Sequence, residues 1–266
     1  MKVRLDVFLV EKGLSQTREK AKALIMAGDV FVNNQKAYKA GEMIEEDSEV
    51  VVKKELPFVS RGGFKLDKGI KTFNIDLKDK VCIDIGASTG GFTDCMLQNG
   101  AKRVYSVDVG YGQLDWKLRS DERVVVLERT NARYLTDEHI PEKADFLSAD
   151  VAFISLKTAL TTAVDLLKDD AYLMVLVKPQ FEAGKEFVGK KGVVRDKNVH
   201  RDVIINVSNA MREKGLSILG IDFSPIKGPQ GNIEYLLYMT KKNVESIDFI
   251  KKADEVVEES HNMLSE

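Results

Sequence analysis

A chain of 266 residues is long enough for one large domain and a small one. Its hydrophobic share of 44% and charged share of 31% fit a soluble globular protein, and a net charge of −2 excludes a globally basic surface, so any basic patch must be local. The longest apolar run, near Ala171 to Val177, has a strand's length and is far too short to span a bilayer.

Residues 1–56 read as a small α+β module. Leu5, Phe8 and Leu9 have helical spacing, and Gly13 stops that helix. Ser15 or Thr17 caps a second helix that runs to Ala27 and ends at Gly28, with Ala23, Leu24 and Ile25 as its buried positions. Val30–Val32, a turn at Asn33-Asn34 and Glu49–Val52 follow as strands. Arg18 and Lys22 share a face of the second helix, with Lys20 beside them. On charge alone this is equally well an ordinary solvated face, since Glu19 lies among them.

Residues 57–60 form a linker, with Pro57 the break. From 61 to 266 strands and helices alternate. Strands are expected near 81–85, 103–108, 123–127, 145–149, 171–177, 217–223 and 234–240, and helices near 62–73, 90–99, 156–168 and 199–214. Such alternation implies an α/β domain with a largely parallel sheet covered on both faces. The acidic tail from Ser246 carries an apolar stripe of Ile250, Ala253 and Val257 and reads as a packed helix.

The run Val81-Cys-Ile-Asp-Ile-Gly-Ala-Ser-Thr-Gly-Gly-Phe92 is an apolar strand that ends in an acid and breaks into glycines. That is a strand turning over bare backbone into a helix, the usual cradle for a cofactor in α/β proteins. Asp84 precedes Gly86, where a carboxylate would repel a pyrophosphate. It suits S-adenosylmethionine (SAM), which carries an ammonium and a sulfonium. Asp108 ends the next strand, about 20 residues on, where an acid grips ribose hydroxyls. The cofactor set expected is Asp84, Gly86, Ala87, Ser88, Gly90, Gly91, Phe92, Asp108 and Val109, with Asn131 and Ala132 at the adenine. Cys82 and Cys95 fall within this strand and the following helix and read as buried thiols, neither disulfide nor metal ligands. Trp116, the lone tryptophan, reads as helix packing in preference to a base platform. Met1 to Asp6 holds no signal-peptide core, so a cytoplasmic protein without a metal site is expected.

Four further charged residues stand at element ends. Lys65 lies in Ser60-Arg-Gly-Gly-Phe-Lys-Leu66, Asp150 ends Asp145–Ala149, Lys178 ends Tyr172–Val177, and Glu234 opens the last strand. The carboxyl ends of parallel strands line the ligand crevice, and an antiparallel last strand brings its first residue to the same rim. Taken singly, each has an ordinary alternative as a solvated or salt-bridged strand end. Together they converge.

The N-terminal pattern Arg4-Leu-Asp-Val-Phe-Leu9…Ser15-Gln-Thr-Arg-Glu-Lys-Ala-Lys-Ala-Leu-Ile-Met-Ala-Gly-Asp-Val-Phe-Val-Asn33 resembles the S-four RNA-binding module. That resemblance implies that Arg4, Arg18, Lys20 and Lys22 face phosphates. Lys65, Asp150, Lys178 and Glu234 resemble the Lys-Asp-Lys-Glu tetrad of the FtsJ-like ribose 2′-O-methyltransferases. The segments Asp84–Thr93, Asp108–Leu114, Ser148–Leu156, Val177–Glu182 and Gly228–Tyr235 are similar to the TlyA-type rRNA methyltransferases, which join the two modules. The resemblance implies a Rossmann-like SAM methyltransferase fold with a mostly parallel seven-stranded sheet whose last strand is antiparallel. It also implies SAM as cofactor and a cytidine 2′-hydroxyl in ribosomal RNA or ribosomal subunits as acceptor. No membrane and no stable protein partner are expected.

In the implied chemistry Lys178 accepts the hydroxyl proton if burial and a neighbouring cation such as Lys65 depress its pKa. Lys65 holds the hydroxyl or a phosphate, and Asp150 and Glu234 orient the two lysines. Between Phe181 and Arg201 the cluster of Lys185, Lys190, Lys191, Arg195, Lys197 and Arg201, interspersed with glycines, reads as a mobile substrate-facing flap; Arg61 joins it as an RNA contact. Other readings remain open. An RNA- or ribosome-binding protein without turnover would leave the tetrad without a role. A small-molecule methyltransferase would leave the N-terminal module unexplained. The haemolysin label carried by members of this family would need a secretion route and a basic or apolar membrane segment, and neither is visible.

Overall fold

In the N-terminal unit, Met1–Pro57, strand β1 (Lys2–Arg4) runs straight into helix α1 (Leu5–Glu11), followed by α2 (Arg18–Ala27). The computed structural model describes residues 2–52 and 57–264; residue 1, residues 53–56 at the expected end of the module, and residues 265–266 lie outside the described residues. Thr17 caps α2, its Oγ1 accepting from the Lys20 amide at 3.2 Å, and Gly28 ends the helix at φ 75°. The buried face of α2 is Ala21 and Ile25, four apart, so Ala23 is exposed, contrary to the expectation from sequence. Short strands β2 (Val30–Val32) and β3 (Gln35–Lys36) form a hairpin over Asn33 and Asn34, both at positive φ, and β4 (Met43–Glu45) and β5 (Val50–Val52) complete the unit. The antiparallel pairs β1–β4 and β2–β5 enclose a small core of Leu5, Phe8, Leu9, Ala21, Ile25, Val30, Ala37 and Ile44.

The second unit, Phe58–Glu266, opens with α3 (Gly63–Phe73) and then β6 (Val81–Ile85), α4 (Gly91–Gln98), β7 (Arg103–Val107), α5 (Trp116–Arg119), β8 (Val124–Leu127) and β9 (Ala144–Ala149). It continues through α6 (Leu156–Ala159), β10 (Leu167–Val177), α7 (Pro179–Glu182), α8 (Lys197–Glu213), β11 (Ser217–Phe223), β12 (Tyr235–Thr240) and α9 (Phe249–Leu264). Seven strands form one sheet in the order β11-β12-β10-β9-β6-β7-β8, with only β12 antiparallel to its neighbours. Alternate strand residues feed two cores. Cys82, Phe146, Met174 and Leu176 meet α3 and α4, whereas Ile83, Leu147, Val175 and Val177 meet the face covered by α8 and α9. Both cysteines are free and buried there.

Three expectations are corrected. The helix expected over 156–168 stops at Ala159, a 3-10 turn covers Ala163–Leu166, and β10 begins already at Leu167. Trp116 does not pack into the core; it is 77% exposed on the short α5. On α9 the stripe is Phe249, Ala253, Val256 and Val257, and Ile250 faces solvent.

Within the N-terminal unit the buried Asp6 carboxylate receives Arg4 Nε at 3.0 Å and Nη2 at 3.1 Å, together with Arg18 Nη2 at 3.0 Å. The Arg4 hydrogen bonds, with help from Arg18, outweigh burial and hold the Asp6 acid down at about 2. A depressed acid stabilises the fold fully above the ordinary carboxylate value and loses that contribution as pH falls toward its folded value. Asp6→Ala should therefore lower stability at neutral pH by about 1–3 kcal/mol. It should also abolish the acid sensitivity of α1 below about pH 4, followed by hydrogen exchange of the α1 amides.

Candidate active site

Because β6, β7, β9 and β10 are parallel, their carboxyl ends share one edge of the sheet, the edge at which open α/β sheets bind ligands. Gly86, Asp108, Asp150 and Lys178 each follow one of these strands. Strand β12 runs the other way with Tyr235 opposite Val177, so Glu234, just before it, arrives beside Lys178. Lys65 comes from the first turn of α3. That helix sits close to α4 because a Cβ on Gly91 would lie 2.8 Å from the Gly63 nitrogen, an approach only glycine permits.

Lys65 Nζ lies 2.6 Å from Glu234 Oε2 and 3.4 Å from Asp150 Oδ2, and the other Asp150 oxygen is ion-paired with Lys178 Nζ. The four side chains thus form one line, Lys178–Asp150–Lys65–Glu234, with Lys65 7% and Glu234 1% exposed. Burial acts against the Lys65 charge, but Asp150 and Glu234 outweigh it and raise its pKa above that of an ordinary lysine. It is held as an ammonium. These residues line a cavity of about 370 Å³ together with Ser60, Arg61, Ala87, Gly91, Phe92 and Lys227.

A second cavity, of about 440 Å³, adjoins the first and shares Gly86, Ser88, Asp150 and Ala152 with it. Its wall combines apolar Ile85, Val107, Val109, Ala132, Val151 and Ile154 with polar Asp108, Gln113 and Asn131. Gly86 stands at φ +80°, and a Cβ there would lie 2.5 Å from the Asp150 carbonyl. The glycine therefore lets the chain after β6 pass close to the end of β9 where the two cavities meet. Asp108 is fixed from behind, accepting from the Ser88 amide at 2.8 Å and the Gly110 amide at 2.7 Å. An apolar slot for a heterocycle beside an oriented carboxylate for a diol is the donor set that an adenosine-bearing cofactor requires.

The expected residues divide accordingly. Asp108, Val109, Asn131 and Ala132 line the second cavity, Gly86 and Ser88 line both, and Ala87, Gly91 and Phe92 line the first. Asp84 and Gly90 line neither. Asp84 is fully buried and its carboxylate takes the hydroxyls of Thr93 at 2.7 Å and Ser148 at 3.3 Å, so it stands behind the cradle and not at an ammonium. Burial pushes its acid up to about 7.

Arg4, Arg18, Lys20 and Lys22 are exposed on the N-terminal unit; Arg4 and Arg18 are paired to Asp6, and Lys20 donates to Gln16 at 2.6 Å. Lys190, Lys191 and Arg195 are exposed but do not line either cavity. Two members of the expected flap are committed elsewhere, Lys197 to Glu258 and Arg201 to Asp254 of α9. Phe153 escaped the sequence reading. It lines the second cavity at φ 62°, is 90% exposed, and its ring centroid lies 5.0 Å from that of Phe181. Its only signal in the sequence was an aromatic three residues past Asp150. Lys227 and Ser60 of the first cavity were likewise missed, although Lys227 opens the Lys-Gly-Pro-Gln-Gly run.

Residues 58–241 match the FtsJ-like methyltransferase family and residues 3–50 match the S4 domain. The chain is 52% identical over 271 aligned positions to "Putative rRNA methyltransferase YqxC" of Bacillus subtilis, covering 100% of this chain and 96% of that one. It is 44% identical to the "16S/23S rRNA (cytidine-2'-O)-methyltransferase TlyA" of Mycobacterium tuberculosis over 240 residues, 90% of each chain. Among solved structures, "Putative hemolysin from Streptococcus thermophilus" superposes with a TM-score of 0.76 at 45% identity, covering 98% of this chain and 96% of that one. Among the described residues no helix is long and apolar enough to cross a membrane.

Two measurements follow from the buried charges. Lys65→Met strands Glu234 without its counter-charge and should cost about 3–5 kcal/mol in urea unfolding, most of it recovered by adding Glu234→Gln. For Asp84 the folded pKa is raised, so its favourable contribution is complete below about pH 4 and is lost as pH rises through about 7. Asp84→Asn should therefore gain on the wild-type melting temperature across that window, and a constant difference between the two would contradict the assignment.

Proposed function

This chain belongs to the FtsJ-like methyltransferase family, and on that premise we propose that it methylates a ribose 2′-hydroxyl of ribosomal RNA, at a cytidine, using SAM. The observation that carries the reading is the line Lys178–Asp150–Lys65–Glu234 along one cavity that opens onto a second at Gly86, Ser88, Asp150 and Ala152. SAM, when bound, supplies an electrophilic methyl group. Asp108 would hold its ribose hydroxyls, Asn131, Val109 and Ala132 its adenine, and the Gly86–Phe92 loop its amino-acid end.

A ribose hydroxyl is a weak nucleophile at neutral pH and must shed its proton as it attacks. Lys178 is placed to take that proton, entering the reaction as the free amine, and in the resting site its ion pair with Asp150 aims it into the cavity. Lys65, kept an ammonium by Asp150 and Glu234, donates to the hydroxyl oxygen or to the neighbouring phosphate. Glu234 fixes Lys65 through their 2.6 Å contact and is itself almost fully buried. Much of the acceleration then comes from bringing the hydroxyl and the methyl donor together in line where the two cavities meet. Phe153, exposed beside Phe181, offers a face on which the base of the acceptor nucleotide stacks.

The RNA assignment has separate support in the S4 match over residues 3–50, in a chain whose net charge of −2 gives no general affinity for polyanions. Asp6 preorganises Arg4 and Arg18, which with Lys20 and Lys22 face phosphates. Arg61, Lys190, Lys191 and Arg195 supply the contacts of the catalytic domain, residues 61–266. Both relatives are named for rRNA, which supports the ribosomal substrate, and the Mycobacterium tuberculosis relative is named for cytidine, which supports the base. Such a substrate implies a cytoplasmic site of action.

Transfer of labelled methyl from SAM to ribosomal subunits and to total RNA tests the proposal. The label should sit at a phosphodiester resistant to alkali. Lys178→Ala should lower the rate by about 10²–10⁴-fold with SAM affinity unchanged. Loss of transfer and SAM binding together would remove Lys178 from the proton-acceptor role. Absence of label on every RNA despite SAM binding would favour a binding protein without turnover.

A further inference from the structure

The loop between α7 and α8 carries Lys185, Lys190, Lys191 and Arg195, yet the lining of the reaction cavity includes none of its residues. It is not loose. Gly189 to Gly192 form a tight turn closed by the Gly192 amide on the Gly189 carbonyl at 2.8 Å, with Lys190 and Lys191 at its exposed corners. Val194, 2% exposed, anchors the returning limb.

The anchor is one side-chain amide. Asn232, 1% exposed, accepts from the Val194 amide at 3.0 Å through Oδ1 and donates to the Gly192 carbonyl at 2.8 Å through Nδ2. Both halves of the amide are therefore spent on the loop. The Asn232 carbonyl also accepts from the Gly228 amide at 2.9 Å, closing the turn whose Gly228 and Pro229 line the reaction cavity. Glu234 follows two residues later.

A second tie reinforces the first. His200, fully buried, lies 3.0 Å from the Val194 carbonyl through Nε2 and 2.7 Å from the Tyr235 hydroxyl through Nδ1. A carbonyl can only accept, so Nε2 carries the hydrogen and Nδ1 accepts from Tyr235. The loop is thus bound to residues on both sides of Glu234.

We infer that Asn232 is a positioning residue that holds the Lys190–Lys191 turn at a fixed place relative to Glu234 and Lys65, so that a phosphate of the substrate's backbone gripped by the turn is held in register with the hydroxyl at the tetrad. The inference rests on the proposed RNA substrate. An asparagine suits the site because the backbone presents one donor and one acceptor from adjacent stretches, and the two ends of one planar amide match both. Aspartate would keep the Val194 contact and oppose the Gly192 carbonyl.

The test is a mutant cycle on the full chain with purified ribosomal subunits. It joins Asn232→Ala and Asn232→Asp with Lys190→Ala/Lys191→Ala, and reads KM for RNA, kcat, SAM affinity and the salt dependence of RNA binding. Asn232→Ala should raise KM for RNA about tenfold and flatten the salt dependence by about two phosphate contacts, with SAM affinity unchanged. Adding the lysine substitutions to it should cost nothing further, and Asn232→Asp should show the same non-additivity. Hydrogen exchange at the Val194 amide should quicken in Asn232→Ala, independently of activity. Fully additive losses, or an unchanged KM and salt slope once Val194 has lost protection, overturn the inference. Equal losses of SAM affinity and melting temperature in both Asn232 variants reduce the residue to a structural one and also overturn it. If the wild type transfers no methyl to any RNA, the proposed function fails; equilibrium RNA binding and its salt slope then decide the role of Asn232 alone.

Discussion

The Asp150 carboxylate between Lys65 and Lys178 is the interaction on which the rest of the site depends. Lys65 and Glu234 are nearly stripped of water, and an uncompensated charge in such a place costs several kcal/mol. Each is tolerable only because the next in line is present. Four elements distant in sequence, α3 and the ends of β9, β10 and β12, are therefore tied to one another by charge as well as by packing. Hydrophobic residues of similar volume would fill the same space without that demand. The line of charges is a feature that stability alone does not call for, and this is the physical reason to read it as chemistry.

Sheet topology makes the line geometrically possible. Parallel strands bring only their carboxyl ends to the crevice, which accounts for Asp150 and Lys178. A third strand-borne group facing them requires a strand that runs backwards, and β12, inserted between β10 and β11, is that strand. Its reversal places Glu234 opposite the end of β10, and the turn before it, residues 228–232, roofs one side of the cavity.

Much of this was legible because it depends on runs of apolar residues that end in a charge. Tyr172–Val177 before Lys178, and the glycines after Asp84, carry their location in one dimension. What stayed hidden is set by three-dimensional partners. Nothing adjacent in sequence announces that Thr93 and Ser148 occupy the Asp84 carboxylate, since those residues lie nine and 64 positions away. The positive φ that turns Phe153 outward is a backbone state that a bulky residue adopts only under tertiary constraint. The helix expected over 156–168 has adequate periodicity, yet it breaks after Ala159 and resumes only as a 3-10 turn over Ala163–Leu166, where Thr162 donates to the distant Ala132 carbonyl. The strands β1, β3 and β4 are two or three residues long, too short for alternation to register.

The basic loop shows where a charge run misleads. Six cations between Phe181 and Arg201 read as one unit, yet they serve two ends. Lys197 and Arg201, on α8, are bound to acids of α9 and hold the last helix to the domain. Lys190 and Lys191, six to eleven positions earlier, stand on a glycine-bounded turn with no ion-pair partner among the described residues, and the turn is fixed through its backbone. A side chain already committed to a carboxylate is a poor phosphate contact, because the acid must be displaced first. A turn pinned by its backbone leaves its ammoniums uncommitted while its position is set. Arg4 and Arg18 combine both features: a single buried acid sets their direction, and two arginines sharing one carboxylate keep donors over for a phosphate. Fixed placement with uncommitted charge is what recognition of a polyanion requires in a protein with no net positive charge to spare.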